Sequence, residues 1–243
     1  MSKLWLFGCS FSVIEDDNCY AKMLANKLNA ELMDVAIPGT SIGWMMYNSM
    51  QNRHKFAEDD YIIFQTTSTD RGFLAKDYPA LSKISKRDKK WTSLTKQQQE
   101  GYTFYLLDIH DTGVLLTQFQ AWLHAMAHYT KHLQVPPLLT VGWDLGDLEL
   151  PDKWRQSKGL LWEASVKEFD VTPLEFRDWL QTNGEDPRHN HFSGNNHKII
   201  TDIYYKALTD KNYIPDFTTL EQNIYDKLPE SGMAPHTWIK INV

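Results

Sequence analysis

Cysteine is scarce: the 243 residues contain two, Cys9 and Cys19. Two thiols cannot build a disulfide scaffold. With no apolar leader ahead of the first strand, they point to a reducing cytosol, or to a protein carried on a virion. Long apolar runs are lacking too. Nowhere do about 18 apolar residues follow one another, so no membrane span is expected. Nor is there a surplus of positive charge. Lys and Arg number 25 against 31 Asp and Glu, for a net charge of -6. A broad nucleic-acid footprint needs clustered cations, and none is expected here. The one basic stretch, from Lys83 to Lys90, lies in polar surroundings and reads as a solvated loop.

Hydrophobic residues at 42% and charged residues at 23% are ordinary globular usage. The length suits one domain over residues 1–243. Aromatics are plentiful at 13%. Filling a core is the first use of so many rings, and lining a groove for a sugar or peptide the second.

Strand and helix patterns alternate along the chain. Leu4–Phe7, Leu32–Ile37, Tyr61–Phe64 and Leu138–Val141 are short apolar runs that end in turn signals, as buried strands do. Asp17 or Asn18 can cap a helix with Tyr20, Met23, Leu24 and Leu28 on its apolar face. Ile42 to Phe56 reads as a second helix. From Leu115 to Leu133, apolar residues recur in steps of three and four and form one stripe. Thr172-Pro173-Leu174-Glu175 matches a capping box. Asn195 or Asn196 starts a last helix carrying Ile199, Ile200, Ile203, Tyr204 and Leu208. Residues 70–111 are polar, with weak periodicity, and read as an insertion with short helices that folds over the site as a lid. Such alternation predicts an α/β protein of three layers, a central parallel sheet between helices. Sites in such sheets gather beyond the carboxyl ends of the strands.

Four segments there carry chemistry. Gly8-Cys9-Ser10 follows the first strand, where a glycine permits a sharp turn and a serine can become a nucleophile; Cys9 is a rival. Pro38-Gly39 follows the second strand, and Gly39 can bring a backbone N–H to a substrate oxygen. Gln65-Thr66-Thr67-Ser68 follows the third, with Arg71 beyond. Late in the chain, Asp186, His189, His191 and His197 cluster ahead of and into the last helix. A histidine far in sequence from a strand-end serine is the layout of a base brought in by folding.

Together these segments resemble the SGNH (GDSL-like) hydrolase superfamily, in a divergent branch associated with phage and bacterial genomes. The order and spacing carry the resemblance. Gly8-Cys9-Ser10 stands for the G-D-S turn, with Cys replacing Asp. Gly39 stands for the second-block glycine. Thr67 occupies the place of the oxyanion asparagine, and Asp186 to His191 the place of D-x-x-H. The resemblance implies a flavodoxin-like three-layer fold and a serine esterase or deacylase without a cofactor. Its triad is Ser10, His191 and Asp186, with His189 as the alternative base. Its oxyanion hole comprises Ser10, Gly39 and Thr67. The substrate it implies is a small or carbohydrate ester, such as an O-acetylated polysaccharide. Two other readings stand beside it. One is a non-catalytic binding or structural module on the same fold. The other is a metal-dependent hydrolase using His189, His191 and His197, since three imidazoles and a water can complete a zinc site.

Overall fold

A computed structural model describes residues 1–9, 12, 19–37, 40–67, 69, 71, 95–104, 112–140 and 194–220. Four strands lie in it: β1 (Lys3–Phe7), β2 (Glu31–Asp34), β3 (Tyr61–Gln65) and β4 (Leu138–Thr140). They form one sheet in the order β2-β1-β3-β4, and every pairing is parallel. The helices are α1 (Tyr20–Leu28), α2 (Ile42–Asn52), α3 (Lys96–Phe104), α4 (Thr112–Tyr129) and α5 (Gly194–Thr209).

Strand order places the layers. The chain steps from β1 outward to β2, then back past β1 to β3. Right-handed crossovers in opposite directions put α1 and α2 on opposite faces of the sheet. Helix α5 packs beside α1, and α4 beside α2. The result is the expected three-layer α/β/α arrangement.

Burial explains why the strands read as unbroken apolar runs. In the central strand β1, Leu4, Trp5, Leu6 and Phe7 are all buried, as are Ile62, Ile63 and Phe64 of β3. A strand covered on both faces has no polar side to alternate with. Phe7 and Phe64 are register partners, and their rings stack at 4.8 Å. Much of the aromatic content is thus core.

At the amino end of the sheet one buried carboxylate aligns the central strands. Asp60 accepts the backbone N–H of Lys3 at 2.8 Å, the indole N–H of Trp5 at 2.9 Å and the N–H of Ala57 at 3.0 Å. On the surface, an ion pair links α1 and α5. Lys27 meets Asp202 at 2.5 Å, but both side chains are largely exposed, and such a pair contributes little.

Several expected boundaries shift. The second strand stops at Asp34 instead of Ile37, because the chain leaves the sheet edge and Ile37 donates its N–H to Gly8 at 3.3 Å. Helix α1 is capped at Cys19 in extended conformation, not by Asp17 or Asn18, and no side-chain bond helps it. Helix α2 ends at Asn52 and tightens into a 3-10 turn over Arg53–Lys55. That exit lets Phe56 become extended and set its ring 5.0 Å from Trp5. Helix α4 likewise ends at Tyr129, with a 3-10 turn over Thr130–His132. The last helix begins at Gly194. The capping box at Thr172 lies outside the described residues. So does the insertion, apart from Arg71 and residues 95–104. Among the described residues, no helix is long and apolar enough to cross a membrane.

Candidate active site

Parallel strands present their carboxyl ends on one edge, and there the first three strand-end segments meet. After β1, the Ser12 N–H donates to the Cys9 carbonyl at 2.9 Å, closing a tight turn across residues 9–12. Gly8 permits that turn. A β-carbon on it would lie 2.2 Å from Ser12 Oγ and 2.7 Å from Ser12 Cβ, which no side chain tolerates. After β2, the bond from Ile37 to Gly8 draws the loop across to the end of β1, and Thr40 N–H returns to the Ile37 carbonyl at 3.2 Å. Ser41 then caps α2 by accepting the Trp44 N–H at 3.2 Å. After β3, Thr66 N–H bonds to the Thr140 carbonyl at 2.9 Å.

Beneath this edge runs a chain of buried hydroxyls centred on Gln65, which has no exposed surface. Ser12 Oγ donates to Gln65 Oε1. The Tyr20 hydroxyl donates to Ser12 Oγ at 2.7 Å and lies 3.3 Å from Gln65 Oε1. On the other side, Gln65 Nε2 donates to the Tyr204 hydroxyl at 3.2 Å. Tyr204 and Thr140 share a hydrogen bond of 3.2 Å, and the Thr140 hydroxyl reaches the Phe64 carbonyl at 3.4 Å. One direction satisfies all of these: the amide hydrogens are fixed donors, so Tyr204 passes its proton to Thr140 and Thr140 to the carbonyl. The chain links the turn after β1, the start of α1, the ends of β3 and β4, and α5.

Burial raises the Tyr20 phenol well above its ordinary pKa, and the neighbouring Tyr204 adds to the effect; the bond it donates to Ser12 offsets part of it. Burial likewise raises Tyr204, against the lowering influence of Thr140 and Gln65. Both groups stay neutral through the physiological range and act as hydrogen-bonding struts.

The start of α5 is fastened to the start of α1. His197 Nδ1 accepts the Tyr20 N–H at 3.2 Å, and its ring stacks on that of Tyr20 at 6.0 Å. A nitrogen accepting this bond carries no proton, so the proton of a neutral His197 sits on Nε2. Thr201 Oγ1 donates to the His197 carbonyl at 2.8 Å and reaches the Tyr20 carbonyl at 3.5 Å. In sequence, His189 and His191 precede this helix by a few residues.

The expected site residues divide as follows. Ser10, Gly39, Asp186, His189 and His191 lie outside the described residues. Their flanking residues Cys9, Ser12, Ile37, Thr40 and Gly194 lie within. Thr67 is placed at the end of β3, with 0% of its surface exposed. Cys9, the rival nucleophile, is likewise 0% exposed and packs in the core. Among the described residues no group of His, Cys, Asp or Glu is placed to hold a metal.

Sequence reasoning missed the hydroxyl chain. Spacing alone reads Tyr20 and Tyr204 as members of apolar helix faces. The available signal was that a buried tyrosine needs a partner for its hydroxyl, which a phenylalanine at the same position would not. Arg71, noted only as lying beyond the third strand, bonds through Nη1 to Thr67 Oγ1 and reaches the Thr40 carbonyl at 3.5 Å.

No family model matches the chain, and no curated protein matches it. Among solved structures it is similar to that of a candidate lipolytic protein of the G-D-S-L family from Desulfitobacterium hafniense DCB-2. The identity is 11% and the TM-score 0.32, over 58% of this chain and 61% of that one.

Proposed function

We propose that the chain, as one domain, is a serine hydrolase that cleaves ester bonds, with Ser10 as nucleophile. One observation carries the reading. The loop after β2 is hydrogen-bonded to the end of β1 through Ile37 and Gly8, so the described residues that precede Ser10 and Gly39 in the chain share one corner of the carboxyl edge. Thr67 lies two residues past the end of β3, the strand on the other side of β1.

In this mechanism Ser10 Oγ attacks the acyl carbon as His191 takes its proton, and the carbonyl electron pair moves onto oxygen. His189 is the alternative base. Asp186 orients the imidazole and stabilises its cation. Backbone N–H groups of Ser10 and Gly39, with the Thr67 side chain, hold the oxyanion. Collapse expels the alcohol, which takes the proton from the imidazolium. Water then repeats the sequence on the acyl-serine and releases the acid. An O-acetyl group on a carbohydrate is the proposed substrate class.

The test is labelling with a fluorophosphonate, followed by mapping of the modified residue. Stoichiometric modification of Ser10 is expected. A protein that hydrolyses no ester and stays unlabelled is a binding module instead. Labelling at another residue removes Ser10 from the mechanism.

A further inference from the structure

We propose that a cleft between the carboxyl ends of α2 and α4 binds a small phosphate monoester with an aromatic body. The cleft has a volume of about 430 Å³ and lies where the two helices tighten into the 3-10 turns Arg53–Lys55 and Thr130–His132. Those turns lead on to β3 and β4, so the cleft lies toward the amino end of the sheet. A ligand there is independent of the hydrolase reading, which concerns the carboxyl edge.

Two kinds of side chain line it. Arg53, His54 and His132 are exposed and bring N–H donors that carry or can carry positive charge. Met50, Phe56 and Leu133 supply an apolar wall, and Met50 is left 53% exposed among these donors. Arg53 is tied across the cleft: its Nη2 donates to the His132 carbonyl at 3.1 Å. A guanidinium has five N–H donors in a rigid fork, so one such bond orients it and leaves most of the fork to a ligand. Among the described residues, neither Arg53 nor the two histidines has a carboxylate partner. Glu58 and Asp59 follow in sequence but do not line the cleft, and Asp60 turns its oxygens to Lys3, Trp5 and Ala57. In a chain of net charge -6, the cleft thus gathers cationic groups with no acid to neutralise them.

Basic residues at helix ends also complement the helix dipole. That explains their sign but not the apolar hollow between them. The carbonyls that would repel an anion there are partly occupied. Met50 accepts the Arg53 N–H, Thr130 accepts the Leu133 N–H at 3.3 Å, and His132 accepts the guanidinium. A phosphate monoester fits both halves: its dianion takes the fork and the imidazoles, and its aromatic body covers Met50 and Leu133. The volume falls in the range of small-ligand sites, about 300–1,000 Å³.

Calorimetric titration of the full chain with 1-naphthyl phosphate tests this, with methyl NMR of the methionines alongside. Saturable one-to-one binding is expected, and the Met50 methyl signal, assigned from Met50→Leu, should shift. Arg53→Met should weaken binding at least about tenfold, the value of one bond to a charged group. His54→Gln and His132→Gln should each weaken it about threefold. Inorganic phosphate lacks the apolar body and 1-naphthoate the second charge, so each should bind at least about tenfold more weakly. Should Arg53→Met fail to fold, the double variant His54→Gln/His132→Gln decides, with about tenfold weaker binding expected. A parent that binds no naphthyl phosphate overturns the proposal, and a parent labelled at Ser10 that does so overturns it alone. Binding that leaves the Met50 signal unmoved, or that survives the Arg53 or double histidine change undiminished, overturns it as well. Naphthoate binding as tightly as the phosphate overturns the choice of a dianion.

Discussion

Ser12 folds over Gly8 so closely that a β-carbon at position 8 would lie 2.2 Å from the serine oxygen. The serine cannot yield. Its N–H is bonded to Cys9, and its hydroxyl lies between Gln65 and Tyr20. Gly8→Ala should therefore open the turn that leads through Ser10. We expect a loss of about 1–3 kcal/mol from overpacking, read by chemical denaturation. Fluorophosphonate labelling should fall much further than the loss of folded protein explains. An alanine variant of parental stability would show that the turn tolerates a side chain.

Gln65 is the hub of the buried hydroxyl chain, so its removal should cost more than that of any end member. Gln65→Leu leaves the Ser12 hydroxyl without its acceptor and the Tyr204 oxygen without its donor, and should cost at least about 2–3 kcal/mol. Tyr204→Phe removes one hydroxyl and should cost about 1 kcal/mol. The double variant should cost less than the sum, because the second change removes a group that the first has already stranded. Strict additivity in urea melts would mean that these groups do not act as a chain.

At the opposite end of the sheet, Asp60→Ala leaves three donors without their acceptor: Lys3 N, Ala57 N and the Trp5 indole. A loss of about 2–4 kcal/mol is expected, with kcat per folded molecule unchanged because the change lies far from the carboxyl edge. Thermal melting and active-site titration measure the two separately. A drop in kcat without a drop in stability would contradict the division between the two ends.

Alkaline pH should weaken the fold through its buried phenols. Tyr20 and Tyr204 have pKa values raised by burial, so the unfolded chain releases their protons more readily than the folded one. Their contribution to stability is complete below the unfolded pKa, about 10. It is lost progressively as pH rises from there toward the folded values. Absorbance at alkaline pH should show exposed tyrosines ionising first, and the buried pair ionising together with unfolding. Full ionisation of all eleven tyrosines in a protein still folded by circular dichroism would refute this.

The two candidate nucleophiles separate cleanly by substitution. Ser10→Ala should abolish ester hydrolysis and labelling. Cys9→Ala should retain both and lose only about 1 kcal/mol, as a small truncation in a packed core does. Loss of labelling in the Cys9 variant with Ser10 intact would reverse the assignment.

Much of the architecture was legible along the chain. Buried parallel strands must be apolar on both faces, so Leu4–Phe7 and Tyr61–Phe64 announce themselves within four residues. The stripe from Leu115 likewise follows from helical geometry alone: Leu115, Phe119, Met126 and Tyr129 are all buried. Both are local consequences of a repeat. The end of β2 was not legible, since Val35-Ala36-Ile37 continues an apolar run and departs only because Gly8 offers its carbonyl.

For the candidate site, residue order pointed to the strand ends, because parallel sheets always open there. Which side chains touch there was decided by folding. Ser12 meets Gln65 across 53 positions, and Gln65 meets Tyr204 across 139. Arg71 reaches the Thr40 carbonyl across 31 positions. A hydroxyl or guanidinium declares in sequence that it needs a partner, but not which one. Hydrogen bonds between side chains have no periodicity to read. Their partners are chosen when the helices close over the sheet and exclude the water that would otherwise satisfy them.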